Sequence, residues 1–133
     1  MKLLTPELHD RLRANDRAHR EAQACGTREP DPVPVVRFFN PVGAATWLAT
    51  EIDEDGILFG LADLGFGSPE LGRFALRELE EIRLPFGLGI ERELLWEGKF
   101  PLSVYAEAAR RAGSIVLAEQ LLHRAASSLK GVR

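Results

Sequence analysis

The residues most suggestive of chemistry lie in one short stretch, GLADLGFGSPELG, which runs from Gly60 to Gly72. Its four glycines could bring backbone N–H groups close to a phosphate, but a phosphate loop needs glycines at set spacing and usually a lysine. The spacing here fits neither the dinucleotide pattern nor the P-loop pattern, and Pro69 has no backbone donor. We therefore predict that the stretch forms a turn between two strands.

Carboxylates are the second group of residues that could do chemistry. An acid–base pair or a hard-cation site needs two or more carboxyl oxygens within a few ångströms of each other. The candidates for such a site are Asp63, Glu70, Glu51 and Glu91. Charged residues lie more often on a solvated sheet face, so a carboxylate-based enzyme or metal-binding protein is the alternative interpretation.

Asp63 differs from the other carboxylates because the expected strand register places it beside Leu61 on an apolar face. An ionised carboxylate in that position needs a partner. The partner would be Arg73, Arg92 or a set of backbone donors, which predicts a structural role for Asp63.

The usual nucleophiles and metal ligands lack the neighbours that their chemistry needs. The three histidines, His9, His19 and His123, lie in the terminal segments without a partner at metal-ligand spacing. Cys25 is the single cysteine, so no intramolecular disulfide and no cysteine cluster forms. Ser68 lies outside any Gly-x-Ser-x-Gly elbow and precedes a proline. No catalytic residue, metal ligand or cofactor is predicted.

Three phenylalanines in loop-like segments favour a binding function instead. Phe66 lies in the glycine-rich turn, Phe86 in LPFGLG and Phe100 in EGKFPL. Exposed apolar clusters on a monomer often mark a protein contact. Together with acidic residues of the sheet, they form the predicted partner-binding set: Phe66, Phe86, Phe100, Glu51, Asp53, Asp63 and Glu70.

Composition and charge narrow the class of partner. The chain has 133 residues, 45% hydrophobic and 28% charged, as in an ordinary globular domain. Its net charge of -3 disfavours direct nucleic-acid binding. Acidic residues also interleave with the arginines that could form a basic stripe on the first helix, Arg11, Arg13, Arg17 and Arg20. No apolar run approaches the ~20 residues that span a bilayer, so we expect a cytoplasmic protein without membrane contact.

The elements that must position these residues follow from periodicity and turn signals. We predict a single domain, 1–133, with an N-terminal helix (1–26), a proline-rich linker (27–34), a sheet-and-helix body (35–113) and a C-terminal helix (114–133). Four strands are expected in VVRFF, TWLATEID, ILFGLADL and GIERELLW, and ELGRFAL is a plausible fifth. The fold class is therefore α+β, an antiparallel sheet of about five strands with the N-terminal and C-terminal helices packed on it.

Three finer predictions concern helix ends and packing. Thr5 is the expected N-cap of the first helix and Gly26 its expected end, and Gly113 is expected to end a helix of the body. In the hairpin around Asp55 and Gly56, a loop with an even number of residues would place six side chains of the two strands on the core face. These are Leu48, Thr50, Ile52, Ile57, Phe59 and Leu61. In the C-terminal helix, helical spacing predicts an inward stripe of Ala118, Leu121, Leu122, Ala125 and Leu129.

The segments PVVRFFNPVGAATWLATEID, LFGLADLGFGSPELG and LPFGLGIERE, in this order, resemble a domain-of-unknown-function family, number 2958. The resemblance covers Leu4 to about Gly113. It implies an accessory protein of plasmids, conjugative elements and prophages, and it supplies no catalytic residue. We therefore expect a non-enzymatic protein that binds a host or element-encoded protein, with inhibition of host defence (restriction or CRISPR) as the sharper form of that function.

Overall fold

The structure is a computed structural model and describes residues 2–130. Its elements are, in chain order, α1 (Pro6–Cys25), β1 (Val36–Phe39), β2 (Thr46–Ile52), β3 (Ile57–Asp63), β4 (Glu70–Ala75), α2 (Leu76–Glu81), β5 (Glu91–Arg92), α3 (Leu102–Ala112) and α4 (Ile115–Lys130). A short 3-10 turn at Pro85–Gly87 precedes β5. The strands form one antiparallel sheet in the order β4-β3-β2-β1-β5. The predicted α+β fold is confirmed.

Strands β2 and β3 form the predicted hairpin, but the register differs from the prediction. An irregularity at Thr50 leaves Glu51 opposite Phe59 and Ile52 opposite Leu58. An extra residue of this kind moves every later side chain of the strand to the other face. The predicted core face is therefore wrong at Ile52, which packs with Leu58 instead.

Helices cover both faces of the sheet. One face packs against α1 and α2, and its core includes Phe38, Trp47, Ile52, Leu58 and Leu12. We call this the α1 face. The opposite face, the α4 face, packs against the hairpin of α3 and α4, and its core includes Leu48, Leu61, Tyr105, Ala109 and Ile115. Both faces are buried, which explains why β2 is buried at all seven positions and lacks a strict alternation of polar and apolar residues.

Helix α1 has the ends that the sequence predicts, and it lies against the part of β2 that does not pair with β1. The Thr5 hydroxyl accepts a hydrogen bond from the Leu8 N–H, and Gly26 closes the helix in the left-handed conformation, with φ 65°. Strand β1 pairs with β2 only as far as Ala49. Beyond that point, the side chains of Asn15 and Arg13 donate to the carbonyls of Thr50 and Ile52. The helix thus satisfies backbone groups that no strand pairs with.

The second helix connects the two edges of the sheet. Helix α2 follows β4, and residues 82–90 lead across the α1 face to β5 at the other edge, with Leu79 and Ile90 buried in the core. Strand β5 is much shorter than the predicted segment GIERELLW, because only Glu91 and Arg92 pair with β1.

Helix α4 departs from its predicted packing. Ala118 is buried and Leu122 is half-buried, but Leu121, Ala125 and Leu129 are exposed. Its first turn packs on the sheet, where Ile115 is buried, while most later residues are exposed. Only the first part of the predicted stripe therefore contributes to the core.

Candidate functional site

The glycine-rich stretch is a turn between strands, as predicted. Gly65 and Gly67, with φ 91° and 84°, lie in the loop between β3 and β4. Gly60 and Gly72 face each other across those two strands. At Gly60 a Cβ atom would lie 1.8 Å from the Leu48 carbonyl oxygen, so glycine is required there for close backbone approach.

Asp63 lies at the end of β3 and is buried, with 1% of its surface exposed. Its two carboxylate oxygens accept hydrogen bonds from backbone N–H groups, one from Gly65 and one from Ile115, each at 2.9 Å. Backbone donors are thus its partners, and neither predicted arginine is. The second bond connects the sheet to the first turn of α4, which gives Asp63 a structural role.

The other candidate carboxylates lie apart from Asp63 and from one another. Glu70 begins β4 and Glu91 begins β5, at opposite edges of the sheet, four strand spacings or ~19 Å apart. Glu51 lies opposite Phe59, which is four residues or ~13 Å along β3 from Asp63. Within residues 2–130 no group of three or more His, Cys, Asp or Glu residues could hold a metal ion. This arrangement gives no support to a site built from the four carboxylates.

Two of the predicted partner-binding carboxylates have structural partners. Asp53 accepts hydrogen bonds from the backbone N–H groups of Ile57 and Asp55 in the β2–β3 turn, and the bond from Ile57 is the main cause of the lowered pKa of its carboxyl. Glu51 is buried and lies 3.0 Å from Nδ1 of His19. Neither side chain is free to form part of an acidic binding surface.

His19 lies between two carboxylates. Its Nε2 atom is 2.5 Å from Glu29 of the linker, while Nδ1 contacts Glu51 of β2. The hydrogen bond to Glu51 is the largest cause of the raised pKa of the imidazole, burial opposes it, and Glu29 adds to it. A protonated His19 therefore ties α1, the linker and the sheet together.

Two of the arginines on α1, Arg13 and Arg20, form ion pairs with a buried carboxylate of the same helix. The buried Asp16 accepts hydrogen bonds from Arg13 at 3.0 Å and Arg20 at 2.9 Å. These two contacts lie within α1 and engage two of the four arginines of the predicted stripe with one carboxylate. They give no support to a phosphate-binding surface.

The predicted aromatic loop residues have different environments. Phe66 is 87% exposed and Phe86 is 92% exposed. Phe100 is half-buried and packs edge-on against Tyr105, with ring centres 5.8 Å apart. Phe66 and Phe86 are thus apolar side chains in water, whereas Phe100 is part of a different feature described below.

Leu95 is a further exposed apolar residue that sequence reasoning missed. It is 100% exposed, and Leu94 beside it is 71% exposed. Among residues 2–130, Phe86 and Leu95 are the two non-glycine residues with positive φ, at 64° and 62°. This conformation costs an L-residue roughly 1–2 kcal/mol. We use the name β5 surface for the exposed apolar side chains before and after β5, namely Phe86, Leu94 and Leu95.

A cleft of about 750 Å³ lies between residues 93–100 and helix α4. Arg37 forms the charged part of its wall: the guanidinium donates to both carboxylate oxygens of Glu119 at 3.0–3.1 Å and to Glu93 at 2.9 Å. The Trp96 indole N–H also donates to Glu119, at 3.3 Å. The Arg37 side chain is 12% exposed, so this ion pair is largely shielded from water.

The apolar part of the cleft wall is aromatic. Trp96 and Phe100 both pack against Tyr105, and Leu122 of α4 adds an aliphatic surface. The Tyr105 hydroxyl accepts a hydrogen bond from the Lys99 backbone N–H, and burial raises the pKa of the phenol. A cavity of this size with a few fixed polar groups has the properties of a ligand site.

Comparison with protein families gives a match over most of the chain. The model of the family described as protein of unknown function (DUF2958) matches residues 3–116. The chain belongs to this family. The match ends at the start of α4, so most of that helix, including the part that lines the cleft, lies outside it. The searches of curated proteins and of solved structures found no match. No helix among residues 2–130 has the length and apolar character needed to cross a membrane.

Proposed function

We propose that this member of the family is a non-enzymatic protein-binding protein and that it contacts its partner through the β5 surface. The observation that carries the proposal is the state of Phe86 and Leu95, two large apolar side chains that are almost wholly exposed on left-handed backbone. Strained conformations of this kind concentrate at functional sites. A partner that covers these side chains would recover the free energy of burying them.

The geometry of β5 supports the same proposal. This strand pairs with β1 on one side, and in the strand order of the described residues it lies at the edge of the sheet. Free backbone groups at an edge can pair with an extended segment of another protein. Phe66, a predicted partner residue, lies in the loop between β3 and β4. Strand β3 is three strand spacings, or ~14 Å, from β5, the strand that follows Phe86. The β5 surface is therefore the primary contact in this proposal and Phe66 a secondary one.

We further propose that the partner is a component of host defence, such as a restriction or CRISPR protein, and that the chain serves a plasmid, conjugative element or prophage. The net charge of -3, the length of 133 residues and the family resemblance support this proposal. An acidic protein can occupy a basic groove that otherwise holds nucleic acid. No observation in the structure favours the alternative carboxylate enzyme.

The binding proposal is tested by affinity capture from a bacterium that carries the element and its defence systems, followed by mass spectrometry. We expect one stoichiometric partner that Phe86→Asn and Leu95→Asn each release. Leu71→Asn is the matched control, because Leu71 is exposed on β4, at the opposite edge of the sheet from β5. Capture that is the same for all four proteins would contradict the proposal.

The defence proposal has its own test. Expression of the chain is expected to protect phage or plasmid DNA in a host with an active restriction or CRISPR system. Phe86→Asn is expected to remove the protection, whereas Leu71→Asn keeps it. Absence of protection in such hosts, together with a confirmed partner of another kind, would refute the defence role and leave the binding role standing.

A further inference from the structure

The cleft between residues 93–100 and α4 is a feature that the proposed binding function does not use. Its volume of about 750 Å³ lies within the range of sites for small molecules and short peptide segments. From its aromatic wall and its charge, we propose that it binds an organic cation on a short apolar stem, an alkylammonium or a guanidinium group. This inference does not rest on the proposed protein-binding function.

The charge of the cleft wall favours a cation over an anion. Two cationic side chains, Arg37 and Lys99, face three carboxylates, Glu93, Glu97 and Glu119, which leaves one net negative charge with His123 counted as neutral. Lys99 is itself paired with Glu97 at 3.2 Å. A cationic ligand would reduce this excess charge, whereas an anionic ligand would increase it.

Arg37 is also not available to an anion. Its Nε, Nη1 and Nη2 atoms all donate to Glu119 or Glu93. The guanidinium carbon lies 5.9 Å from the centre of the Phe39 ring, so that aromatic ring covers one face of the group. An incoming carboxylate or phosphate would have to displace a protein carboxylate that already occupies the strongest geometry.

The aromatic side chains of the cleft wall provide a second attraction for a cation. The faces of Trp, Tyr and Phe rings attract cations, and Trp is the strongest of the three. Trp96 is half-buried, and its hydrogen bond to Glu119 fixes the indole in the cleft next to Phe100 and Tyr105. A fixed indole next to carboxylates combines the two attractions that alkylammonium and guanidinium groups use.

The test compares ligands of the same shape and different charge on the full chain. Choline and N-acetyl-arginine amide are the cationic probes, 3,3-dimethylbutanol is the neutral isostere of choline, and 3,3-dimethylbutanoate is the anion. Isothermal titration and the NMR signal of the Trp96 indole N–H report binding. We expect both cations to bind and to move that signal, with the neutral and anionic probes at least about tenfold weaker.

Two exposed residues of the cleft wall provide variants with opposite expected effects. Glu93→Gln removes a negative charge and should weaken choline binding several-fold, whereas Lys99→Gln removes a positive charge and should strengthen it. Trp96→Leu should weaken binding between about 3-fold and 30-fold. Phe86→Asn, outside the cleft, should leave it unchanged, and this separates the inference from the function of the β5 surface.

Each outcome has a definite meaning. Equal affinity for choline and its neutral isostere would show an apolar cavity without charge selection and would overturn the proposal. No binding by either cation would also overturn it. Tighter binding of the arginine derivative than of choline would support a guanidinium ligand, such as an arginine side chain. The reverse order would support a quaternary amine.

Discussion

Replacing Phe86 with asparagine should make the protein more stable, although it removes a large apolar side chain. Phe86 has φ 64° and ψ 24° and is followed by Gly87 with φ 72°, in a tight turn closed by the bond from the Leu88 N–H to the Pro85 carbonyl. Two consecutive left-handed residues are typical of a turn that prefers Asn-Gly. The conformation costs phenylalanine roughly 1–2 kcal/mol and asparagine much less.

The loss of burial that opposes this gain is small, because Phe86 is 92% exposed. We therefore expect the free energy of unfolding to rise by about 1 kcal/mol. With an unfolding entropy of about 2.1 cal/mol/K per residue, this corresponds to an increase in Tm of about 3–4 °C for a chain of this length. Urea unfolding and calorimetry measure both quantities.

Phe66→Asn is the matched control for this experiment. Phe66 is almost as exposed, at 87%, but it is not among the residues with positive φ. The same chemical change should therefore leave stability within ±0.5 kcal/mol. A loss of stability in Phe86→Asn, or an equal gain in both variants, would refute the argument from backbone strain. A gain in Phe86→Asn combined with loss of partner binding would show that the strained residue is kept for function.

Three further perturbations test the structural interpretation of the sequence motifs. Gly60→Ala should destabilise the protein by about 3 kcal/mol or more, since its Cβ would meet a backbone carbonyl, whereas Gly72→Ala has open space and should change stability by less than about 1 kcal/mol in chemical denaturation. Asp63→Asn should cost about 1–3 kcal/mol, because one of two backbone N–H groups loses its acceptor. The hydrogen bond to Glu51 raises the pKa of His19 in the folded state above 6.5. The protonated imidazole therefore stabilises the fold fully below pH 6.5, and this stabilisation is lost as pH rises through the folded pKa. The free energy of unfolding should fall between pH 6 and 9, and this fall should be smaller in His19→Gln.

The sequence predicted the elements well where short-range signals determine them. The Thr5 cap, the Gly26 end of α1 and the Gly113 end of α3 are set by residues within one helical turn of each other. The turn around Gly56 is local in the same way. Asp63 was placed correctly beside Leu61 because the last residues of β3, from Gly60 to Asp63, pair regularly with β2.

The errors come from features that no local signal determines. The irregularity at Thr50 depends on α1, whose Asn15 binds the Thr50 carbonyl from 35 positions away in the chain. The α4 stripe was predicted to be core from its spacing alone, but residues from Glu119 onward line the cleft or face water, and Leu129 remains exposed.

The cleft was not predicted because the residues that form it are even further apart in the sequence. Its central ion pair joins Arg37 of β1 to Glu119 of α4, which are 82 residues apart, and its aromatic wall comes from a third segment. None of these residues forms a motif in the sequence, and Arg37 alternates with core residues in an ordinary strand pattern. Only the antiparallel order of the sheet and the return of α4 onto it bring the charges and the rings together.

The residues of the cleft and those of the β5 surface affect the stability of the fold in opposite ways. In the cleft, the ion pair and the aromatic contacts hold the folded state together, so removing Glu119 or Tyr105 would damage fold and binding alike. On the β5 surface, Phe86 and Leu95 contribute almost no burial and adopt a costly backbone conformation. A partner that covers these two side chains would provide the contacts that they lack within their own chain, and this would account for their cost in stability. This is the physical reason to look for the partner at β5 first.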